Sequence, residues 1–310
     1  MRIRQPGRVC QQVWFLGREE SCVYLLEGSN ESMLVSGGIG YIVSDVLSQL
    51  KIFGISETRI TKLLMLHAHF DHVGIVPFFK RHHPSIDIIG SARAWEILEM
   101  PKAIDTVNEF SRRVARRMGT EEVYGAYDLE WRDDVTGTSV FEGDHLDLGD
   151  LEVRILETPG HSSCSVSAYV PQLKVLFASD AGGIPYKETI IATGNSNFTM
   201  FQQSLEKMRN LHVDYICADH YGYVVGTEAR VFIEQAIDSA TQYRSLIERT
   251  FDKTGDADFA ARALSGGFYQ KYPDYFLPPD IMEGVCRQMV RHVANAMPAG
   301  AGSGSPAALT

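Results

Sequence analysis

The sequence predicts an α/β fold with a helical appendage at its C-terminal end. Over the first 225 residues, short apolar runs alternate with segments of helical periodicity, and this strand–helix pattern occurs once in each half. From Thr227 onward the pattern is almost purely helical. We therefore predict a body at 1–225 and a helical cap at 226–297. The tail at 298–310 is rich in Ala, Gly, Ser and Pro, and we expect it to be disordered.

The first half of the body begins with strands and then alternates. Apolar runs bounded by turn residues predict strands at 13–16, 22–27, 32–35, 62–66 and 86–89. Apolar side chains at helical spacing predict helices at 41–50, 73–83 and 92–118. The second of these helices stops before Pro84 and the third is broken near Pro101, because a proline disfavours helical conformation in the residue before it.

The second half repeats the alternation, and the cap follows it. Predicted strands lie within 138–153 and at 151–156, 165–170, 174–178 and 215–218. Predicted helices are 198–211 in the body and 227–249, 256–264 and 280–297 in the cap. An aromatic stretch from Phe268 to Phe276 would either line an acyl or aryl pocket or pack the cap. One apolar face of the first cap helix would form either cap core or a homodimer seam: Phe232, Ile233, Ala236 and Ile237.

Composition and charge exclude several classes of protein. The 310 residues include 29 Lys and Arg against 39 Asp and Glu, which gives a formal net charge of −10. A general nucleic-acid binder needs a clustered positive surface, so we predict no nucleic-acid partner. No apolar run reaches the length of ~18 residues that a membrane span needs, so we predict no membrane association. Five cysteines without a CxxC pair, and no apolar segment behind the basic N-terminus, favour a cytoplasmic location.

The strongest chemical signal is the segment His67-Ala-His69-Phe-Asp71-His72, directly after a predicted buried strand. In an extended segment His67 and His69 point to the same side, and a following turn can bring Asp71 and His72 toward the same cavity. Imidazole and carboxylate groups are ligands that Zn, Mn and Fe accept. Four such side chains within six residues therefore favour a metal site over coincidence.

Three further candidates lie at the ends of predicted strands. His161 follows Thr158-Pro-Gly, whereas Asp180 and His220 each end an apolar run. Loops at strand ends are where a rigid scaffold commonly holds functional side chains. Taken singly, each residue has an ordinary interpretation, since His161 would be a turn residue, Asp180 a helix cap and His220 a surface histidine.

Together these motifs resemble the metallo-β-lactamase superfamily. The HxHxDH segment, Pro-Gly-His161, Ser-Asp180 and His220 occur in that family's order, and the resemblance covers about residues 10–225. It implies an αββα sandwich with two divalent metal ions at one edge, either Zn or Fe, with Mn as a third option. By position it also implies the ligands: His67, His69 and His161 for the first metal, Asp71, His72 and His220 for the second, and Asp180 bridging both.

Within the superfamily, the chain most resembles the quinolone signal response type, which implies an aminobenzoylacetyl-CoA-like thioesterase. The shared features are the length, a helical insertion after 86–89 and C-terminal helices. The chain departs from that type after Asp180, where it reads Ala-Gly-Gly-Ile and has no acidic side chain four residues after Asp180. Acyl-homoserine lactonases share the ligand set, although many carry a Tyr where this chain has Gly183. Glyoxalase II shares a helical C-terminal domain. A regulatory or binding protein that retains its metal site is a further alternative.

The implied reaction is attack of a metal-bound hydroxide on a carbonyl carbon, since a bound metal ion lowers the pKa of water toward about 7. Asp71 would orient the hydroxide while ligating, and Tyr221 is the best candidate for a proton donor or oxyanion partner. A thiolate, with a parent pKa of about 8.5, leaves without strong acid assistance, which favours thioesters over plain esters. The predicted partner is therefore a small-molecule thioester or ester.

Two other groups of residues have both functional and ordinary interpretations. Four arginines at helical spacing would either bind CoA phosphates or form a solvated face, and the solvated face is favoured: Arg112, Arg113, Arg116 and Arg117. Cys164 lies close to His161 in sequence, but a nucleophilic role would duplicate the hydroxide. We therefore interpret Cys164 as a packing residue.

Overall fold

The computed structural model describes residues 1–297, so the tail predicted at 298–310 lies outside the described residues. Two seven-stranded sheets form the centre of the body. The strands of the first sheet follow the order of the chain: β2 (Gly7–Cys10), β3 (Val13–Arg18), β4 (Ser21–Glu27), β5 (Ser32–Val35), β6 (Ile60–Leu64), β7 (Asp87–Ser91) and β8 (Thr138–Val140).

The second sheet joins the N-terminus to the later part of the body. Its strands lie in the order β1 (Arg2–Ile3), β16 (Tyr223–Val225), β15 (Tyr215–Cys217), β12 (Val175–Phe177), β11 (Val166–Val170), β10 (Glu152–Glu157) and β9 (His145–Asp147). A separate hairpin consists of β13 (Ile184–Tyr186) and β14 (Thr189–Ile191).

Helices cover the outer faces of both sheets and make up the cap. Those of the body are α1 (Val43–Ile52), α2 (Val76–His82), α3 (Ala92–Leu98), α4 (Pro101–Arg117), α5 (Glu122–Tyr127) and α6 (Phe198–Met208). Those of the cap are α7 (Thr227–Asp252), α8 (Ala257–Lys271) and α9 (Pro279–Ala296). Among residues 1–297, no helix combines the length and apolar character needed to cross a membrane.

Side-chain alternation along the strands explains the layered architecture. Successive side chains of a strand point to opposite faces. Leu64 and Phe177 face the core between the two sheets. Their neighbours Leu63 and Leu176 face the helices outside. Because both faces of the central strands are buried, strands such as β4, β5 and β12 are almost continuously apolar, and the predicted αββα sandwich is confirmed.

Strand direction gathers the functional loops at one edge. β6 runs parallel to its neighbours β5 and β7. In the second sheet β12 and β15 are parallel, and β10 runs in the same direction because both β10 and β12 are antiparallel to β11. The loops that follow β6, β10, β12 and β15 therefore leave the carboxyl ends of strands that run together, where sites are commonly built.

The largest difference from the predicted elements is in the cap. Helix α8 was expected to end at Leu264 but continues through Gly266 and Gly267 to Lys271. Helix propensity is a weak influence that tertiary packing can override, and α8 buries Ala260, Ala261 and Leu264. The hairpin β13–β14 and helix α5 were not predicted, because elements of three to six residues show too little periodicity.

The apolar face of α7 belongs to the interior of the chain. Phe232, Ile233 and Ala236 are buried, and Ile237 packs against the same core. A Cβ added at Gly183 would lie 3.6 Å from the Cβ of Ala236, so this face contacts the loop that carries Asp180. The fold therefore supports the interpretation of this face as cap core. Homodimer formation stays a prediction, but this face is not the surface on which it would depend.

Candidate metal centre

All seven side chains predicted as metal ligands lie at the shared edge of the two sheets. The loop after β6 carries the HxHxDH segment, and the loops after β10, β12 and β15 carry one candidate each. They are His67, His69, Asp71, His72, His161, Asp180 and His220. In the loop after β10, Gly160 has a φ of +128°, and a Cβ at this position would lie 2.1 Å from the backbone N of Phe201. Glycine is therefore needed directly before His161.

The turn predicted in the HxHxDH segment is present. The backbone N–H of His72 donates to the carbonyl of His69 over 3.0 Å, and this bond closes a tight turn. The Cys164 thiol accepts a hydrogen bond from the backbone N–H of Ala68 over 3.3 Å. Burial raises the pKa of Cys164, which keeps it a thiol and agrees with a packing role.

The first group of side chains consists of three imidazoles. The Nδ1 atom of His69 lies 3.2 Å from the Nε2 atom of His67 and 3.0 Å from the Nε2 atom of His161. One nitrogen of each ring lies within 4.8 Å of the others, so this group could hold a metal ion.

The second group combines two imidazoles with a carboxylate. The Nε2 atoms of His72 and His220 are 3.2 Å apart. The Asp71 carboxylate lies 3.7 Å from the Nε2 atom of His72 and 3.6 Å from that of His220. These three side chains meet the same geometric condition for holding a metal ion.

Asp180 lies between the two groups. Its Oδ2 atom is 3.4 Å from the Nε2 atom of His161 in the first group and 3.5 Å from that of His72 in the second. Its Oδ1 atom is buried and has no hydrogen-bond partner among residues 1–297. A buried carboxylate oxygen without a donor is costly, so this atom is placed to receive a cation.

The outer ring nitrogens of the histidines are tied to the scaffold. His161 donates from Nδ1 to the carbonyl of Thr193 over 2.8 Å, and His220 donates from Nδ1 to the carbonyl of Glu20 over 2.6 Å. A ring that donates from Nδ1 presents the lone pair of Nε2 to the site, which is the form that binds metal. These bonds therefore set both the orientation and the tautomer.

Asp219 orients one histidine of each group, a role that the sequence did not reveal. Its Oδ2 atom accepts from Nδ1 of His72 over 2.8 Å and from the Ser179 hydroxyl over 2.6 Å. The Ser179 oxygen is in turn 3.2 Å from Nδ1 of His67. Asp219 also lies close enough to His67 and His72 to count as a possible ligand. We assign it an orienting role because it contacts the ring nitrogen of His72 that faces away from His220.

Burial controls the charge of the first group. Loss of hydration lowers the pKa of His67 well below its usual range, that of His69 to about 4 and that of His161 to about 3. These rings are therefore neutral at pH 7. Burial also acts against a charge on His72, but Asp71 and Asp180 outweigh it and raise the pKa of His72.

The donor set fits a divalent metal ion. The Nε2 atoms of His72 and His220 face each other across 3.2 Å beside the carboxylates of Asp71 and Asp180, so a cation at this point would contact all four side chains. Imidazole nitrogens together with carboxylates suit Zn, Fe and Mn. The residues present therefore match the metals implied by the sequence resemblance.

Comparison with known proteins decides the family. A model described as "Metallo-beta-lactamase superfamily" matches residues 16–220. The chain belongs to this superfamily. The archaeal metallo-beta-lactamase fold-containing protein ST1585 of Sulfurisphaera tokodaii is 23% identical over 209 residues, which cover 66% of this chain and 74% of that relative. Its solved structure superposes with a TM-score of 0.58 at 20% identity and covers 74% of this chain and 86% of ST1585.

Two further proteins extend the comparison. The human acyl-coenzyme A thioesterase MBLAC2 is 24% identical over 181 residues, and these cover 55% of this chain and 61% of the thioesterase. The chain thus spans about three fifths of that relative. The family protein TTHA1429 of Thermus thermophilus superposes with a TM-score of 0.65 at 18% identity, covering 93% of this chain and 95% of its own. At these identities the structural likeness shows the fold alone.

The metal-ligand candidates of this superfamily member open into a large cavity of about 1150 Å³. We call the candidates at its inner end the floor: His69, Asp71, His161, Asp180 and His220. The walls come from α4, α7, α8 and α9 and from the hairpin β13–β14. Phe276 packs on His220 with ring centroids 5.0 Å apart, so the cap contacts the floor directly.

Tyr221 lies behind the cavity rather than along it. It is 5% exposed and packs between Tyr186 and Tyr275, with ring centroids 4.6 and 6.0 Å away. Burial raises its pKa, so it keeps its proton. The cavity is instead lined by Tyr275, whose hydroxyl makes no hydrogen bond within the described part of the chain. The catalytic role of Tyr221 stays a prediction.

The aromatic stretch and the arginine cluster differ in location. Phe268, Tyr272, Tyr275 and Phe276 line the cavity and also pack against one another, so both interpretations of this stretch apply. The arginines of α4 do not line it. Arg112, Arg113 and Arg116 form ion pairs with Glu130, Asp280 and Glu121 around a separate hollow. This arrangement agrees with a charged, solvated face.

Proposed function

We propose that this protein is a dinuclear-metal hydrolase that cleaves acyl-CoA-type thioesters. In this proposal one metal is held by His67, His69 and His161, the other by Asp71, His72 and His220, with Asp180 shared. The metals are Zn or Fe, with Mn as a third option. The observation that carries the proposal is the position of Asp180, whose Oδ2 atom lies 3.4 Å from His161 in one group and 3.5 Å from His72 in the other.

The chain's own residues supply positioning and exclusion of water. When bound, the metal pair would lower the pKa of a water molecule toward about 7 and polarise the scissile carbonyl. Asp71 lies within reach of both histidines of its group and can orient the attacking water. Phe276 covers His220 on the cavity side and shields it from solvent.

The preference for thioesters rests on the leaving group. A thiolate with a parent pKa of about 8.5 departs without a strong proton donor. Tyr221 and Tyr275 both have their pKa values raised, first by burial, so either phenol can donate a hydrogen bond but neither gives up its proton readily. The similarity to human MBLAC2, whose name describes an acyl-coenzyme A thioesterase, supports the same substrate class.

The decisive experiment combines metal analysis with a substrate panel. Protein purified without added metal is analysed for Zn, Fe and Mn and assayed on acyl-CoA thioesters, acyl-homoserine lactones and S-lactoylglutathione. We expect two metal ions per chain and turnover of acyl-CoA thioesters. Turnover of lactones alone, or of S-lactoylglutathione alone, would overturn the proposed substrate class in favour of a lactonase or a glyoxalase II-like enzyme.

A matched pair of variants tests whether the site is catalytic. Asp71→Ala should abolish hydrolysis, whereas Asp105→Ala removes an exposed carboxylate of α4 that does not line the cavity and should leave hydrolysis unchanged. Hydrolysis that survives in Asp71→Ala would show that the site does not catalyse it. A metal-loaded wild type without activity on the whole panel would favour the regulatory or binding alternative.

A further inference from the structure

Four helices each contribute one stripe of side chains to the walls of the cavity. Helix α7 contributes the longest stripe, at the spacing that places residues on one face of a helix: Ser239, Gln242, Tyr243, Leu246, Arg249, Thr250 and Lys253. At ~1.5 Å per residue, the fourteen steps from Ser239 to Lys253 correspond to a trough about 21 Å long. The cavity is therefore extended along α7.

The two ends of this trough have different surroundings. At one end, Ile233 and Ala236 of α7 lie next to Gly182 and Gly183, which are two and three residues after Asp180. This end therefore adjoins the candidate metal centre. Arg249 is in the last turn of α7 and Lys253 directly follows the helix, so both lie at the opposite end of the trough. A ligand that reaches both ends must be long and thin.

The distribution of charge along the cavity is uneven. Apart from Asp71 and Asp180 in the floor, every charged side chain among the described lining residues is a cation. They are Lys102, Arg249, Lys253 and Lys271, which we call the cationic rim. This contrasts with a chain whose net charge is −10.

The rim cations have no acidic partner. Within residues 1–297, none of the four makes an ion pair, although Lys271 lies over the ring of Tyr272 at 4.9 Å. By contrast, Arg112, Arg113 and Arg116 on the nearby face of α4 are all paired. All four rim residues are exposed, so their charges can reach a ligand without losing an existing contact.

Helix dipoles explain only part of the rim. Arg249, Lys253 and Lys271 lie at helix C-termini, where a positive charge is favourable. Lys102 lies in the first turn of α4, where the helix dipole disfavours a positive charge. The helix dipole therefore does not account for Lys102 on the cavity wall.

We propose that Arg249 and Lys253 of the cationic rim form a subsite for the phosphate-bearing end of an extended thioester, whose acyl carbonyl reaches the floor. The statement that the ligand is a thioester rests on the proposed function. The statement that the rim binds phosphates does not, because such binding needs no hydrolysis. Phosphate groups are strong acceptors for Arg and Lys donors. The trough of about 21 Å along α7, from the end beside the metal centre to Arg249 and Lys253, suits a thiol carrier with a long arm between sulfur and phosphates, as in coenzyme A.

Direct binding tests the rim without using catalysis. Calorimetry compares coenzyme A with pantetheine, which has the same arm but lacks the nucleotide phosphates. We expect wild type to prefer coenzyme A, and this preference to fall about three- to thirtyfold in Arg249→Gln/Lys253→Gln, as for two partly exposed charge contacts. It should also shrink as salt is added, because exposed charges are screened. A wild type that binds both compounds equally would overturn the proposal.

A control with the same change in charge isolates the position of the cations. Lys51→Gln/Arg262→Gln removes two exposed cations that do not line the cavity, and it should keep the wild-type preference. Equal losses in the two double variants would reduce the effect to net charge and overturn the subsite. Thermal unfolding of both variants checks that they fold like wild type.

Kinetics separate this inference from the proposed function. The same acyl group is presented on coenzyme A and on N-acetylcysteamine, a thiol without phosphates. The rim variant should raise KM for the CoA thioester only and leave kcat unchanged for both. If wild type hydrolyses neither thioester but still prefers coenzyme A to pantetheine, the proposed function fails and the subsite stands. If it hydrolyses both with equal KM, the function stands and the subsite fails.

Discussion

The two ends of the cavity differ in how firmly their polar groups are held. At the floor, His161 and His220 are fixed by hydrogen bonds from their outer nitrogens to backbone carbonyls. At the rim, Arg249 and Lys253 have no ion-pair partner in the described part of the chain. Preorganised groups suit chemistry, whereas mobile charged side chains adapt to a ligand. Changes at the floor should therefore alter metal content and turnover, and changes along α7 should alter KM.

Loss of a floor histidine should have the largest effect. His69→Ala removes the ring whose Nδ1 atom lies closest to both other members of the first group. We expect a loss of activity greater than about a hundredfold, the upper range for residues that only orient ligands. Metal analysis and kcat/KM measure this effect, and added Zn should raise the Tm of wild type more than that of the variant. If His69→Ala kept full metal content and activity, the first metal site would be removed from the proposal. The control is His145→Ala, which removes an exposed histidine.

Removal of the orienting carboxylate should have the second largest effect. Asp219→Ala leaves the Nδ1 donor of His72 and the hydroxyl of Ser179 without their acceptor. We expect a loss of about 10- to 100-fold in metal affinity or activity. Asp219→Asn should fall between wild type and Asp219→Ala, because the amide keeps an oxygen acceptor. Asp214→Ala removes a half-buried carboxylate that is paired with Arg230 and lies outside the metal centre, and it should have no such effect. Unchanged metal affinity in Asp219→Ala would show that His72 needs no orienting partner.

A change in the middle of the trough should affect binding alone. Leu246 lines the cavity and is 42% exposed, so Leu246→Trp narrows the trough without overfilling the core. For long acyl thioesters we expect kcat/KM to fall about tenfold, within the range for hydrophobic pocket changes, with metal content unchanged. Val231→Trp, at an exposed position of α7 outside the cavity, is the control. A lower metal content in Leu246→Trp would contradict the separation between floor and walls.

The smallest effect should distinguish two tyrosines. Tyr275→Phe removes a hydroxyl that lines the cavity, and we expect kcat on thioesters to fall about fivefold, the value of one neutral hydrogen bond. Tyr221→Phe changes a hydroxyl behind the cavity wall and should leave kcat nearly unchanged. The opposite result, with a loss confined to Tyr221→Phe, would support Tyr221 as the oxyanion partner.

The floor was predictable because its signal is local in sequence. Two of its residues, His69 and Asp71, belong to the HxHxDH segment, and the other three follow apolar strands, so chain order and strand direction bring them together. Asp219 and Ser179 are equally close to these strand ends. Their orienting role depends on which ring nitrogen they contact, and no residue pattern encodes that contact. Their place directly before His220 and Asp180 is the one signal that could have pointed to them.

The rim could not be predicted because its members are far apart in sequence and form no motif. Lys102 belongs to α4, Arg249 and Lys253 to α7, and Lys271 to α8. The arginines from Arg112 to Arg117 form the more conspicuous pattern, but three of them are neutralised by acidic partners that only the fold brings near. Helix α8 reaches Lys271 only because packing overrides Gly266 and Gly267, which the sequence pattern presented as an end.

The distribution of the candidate ligands between the sheets has a consequence for how the body assembles. The first group takes His67 and His69 from the loop after β6 and His161 from the second sheet, and the second group likewise joins Asp71 and His72 to His220. Either group is complete only when both sheets are docked. A metal ion bound by such a group acts as a cross-link that opposes separation of the sheets. Metal uptake during refolding would therefore follow sheet docking and would report the moment at which the sandwich has assembled.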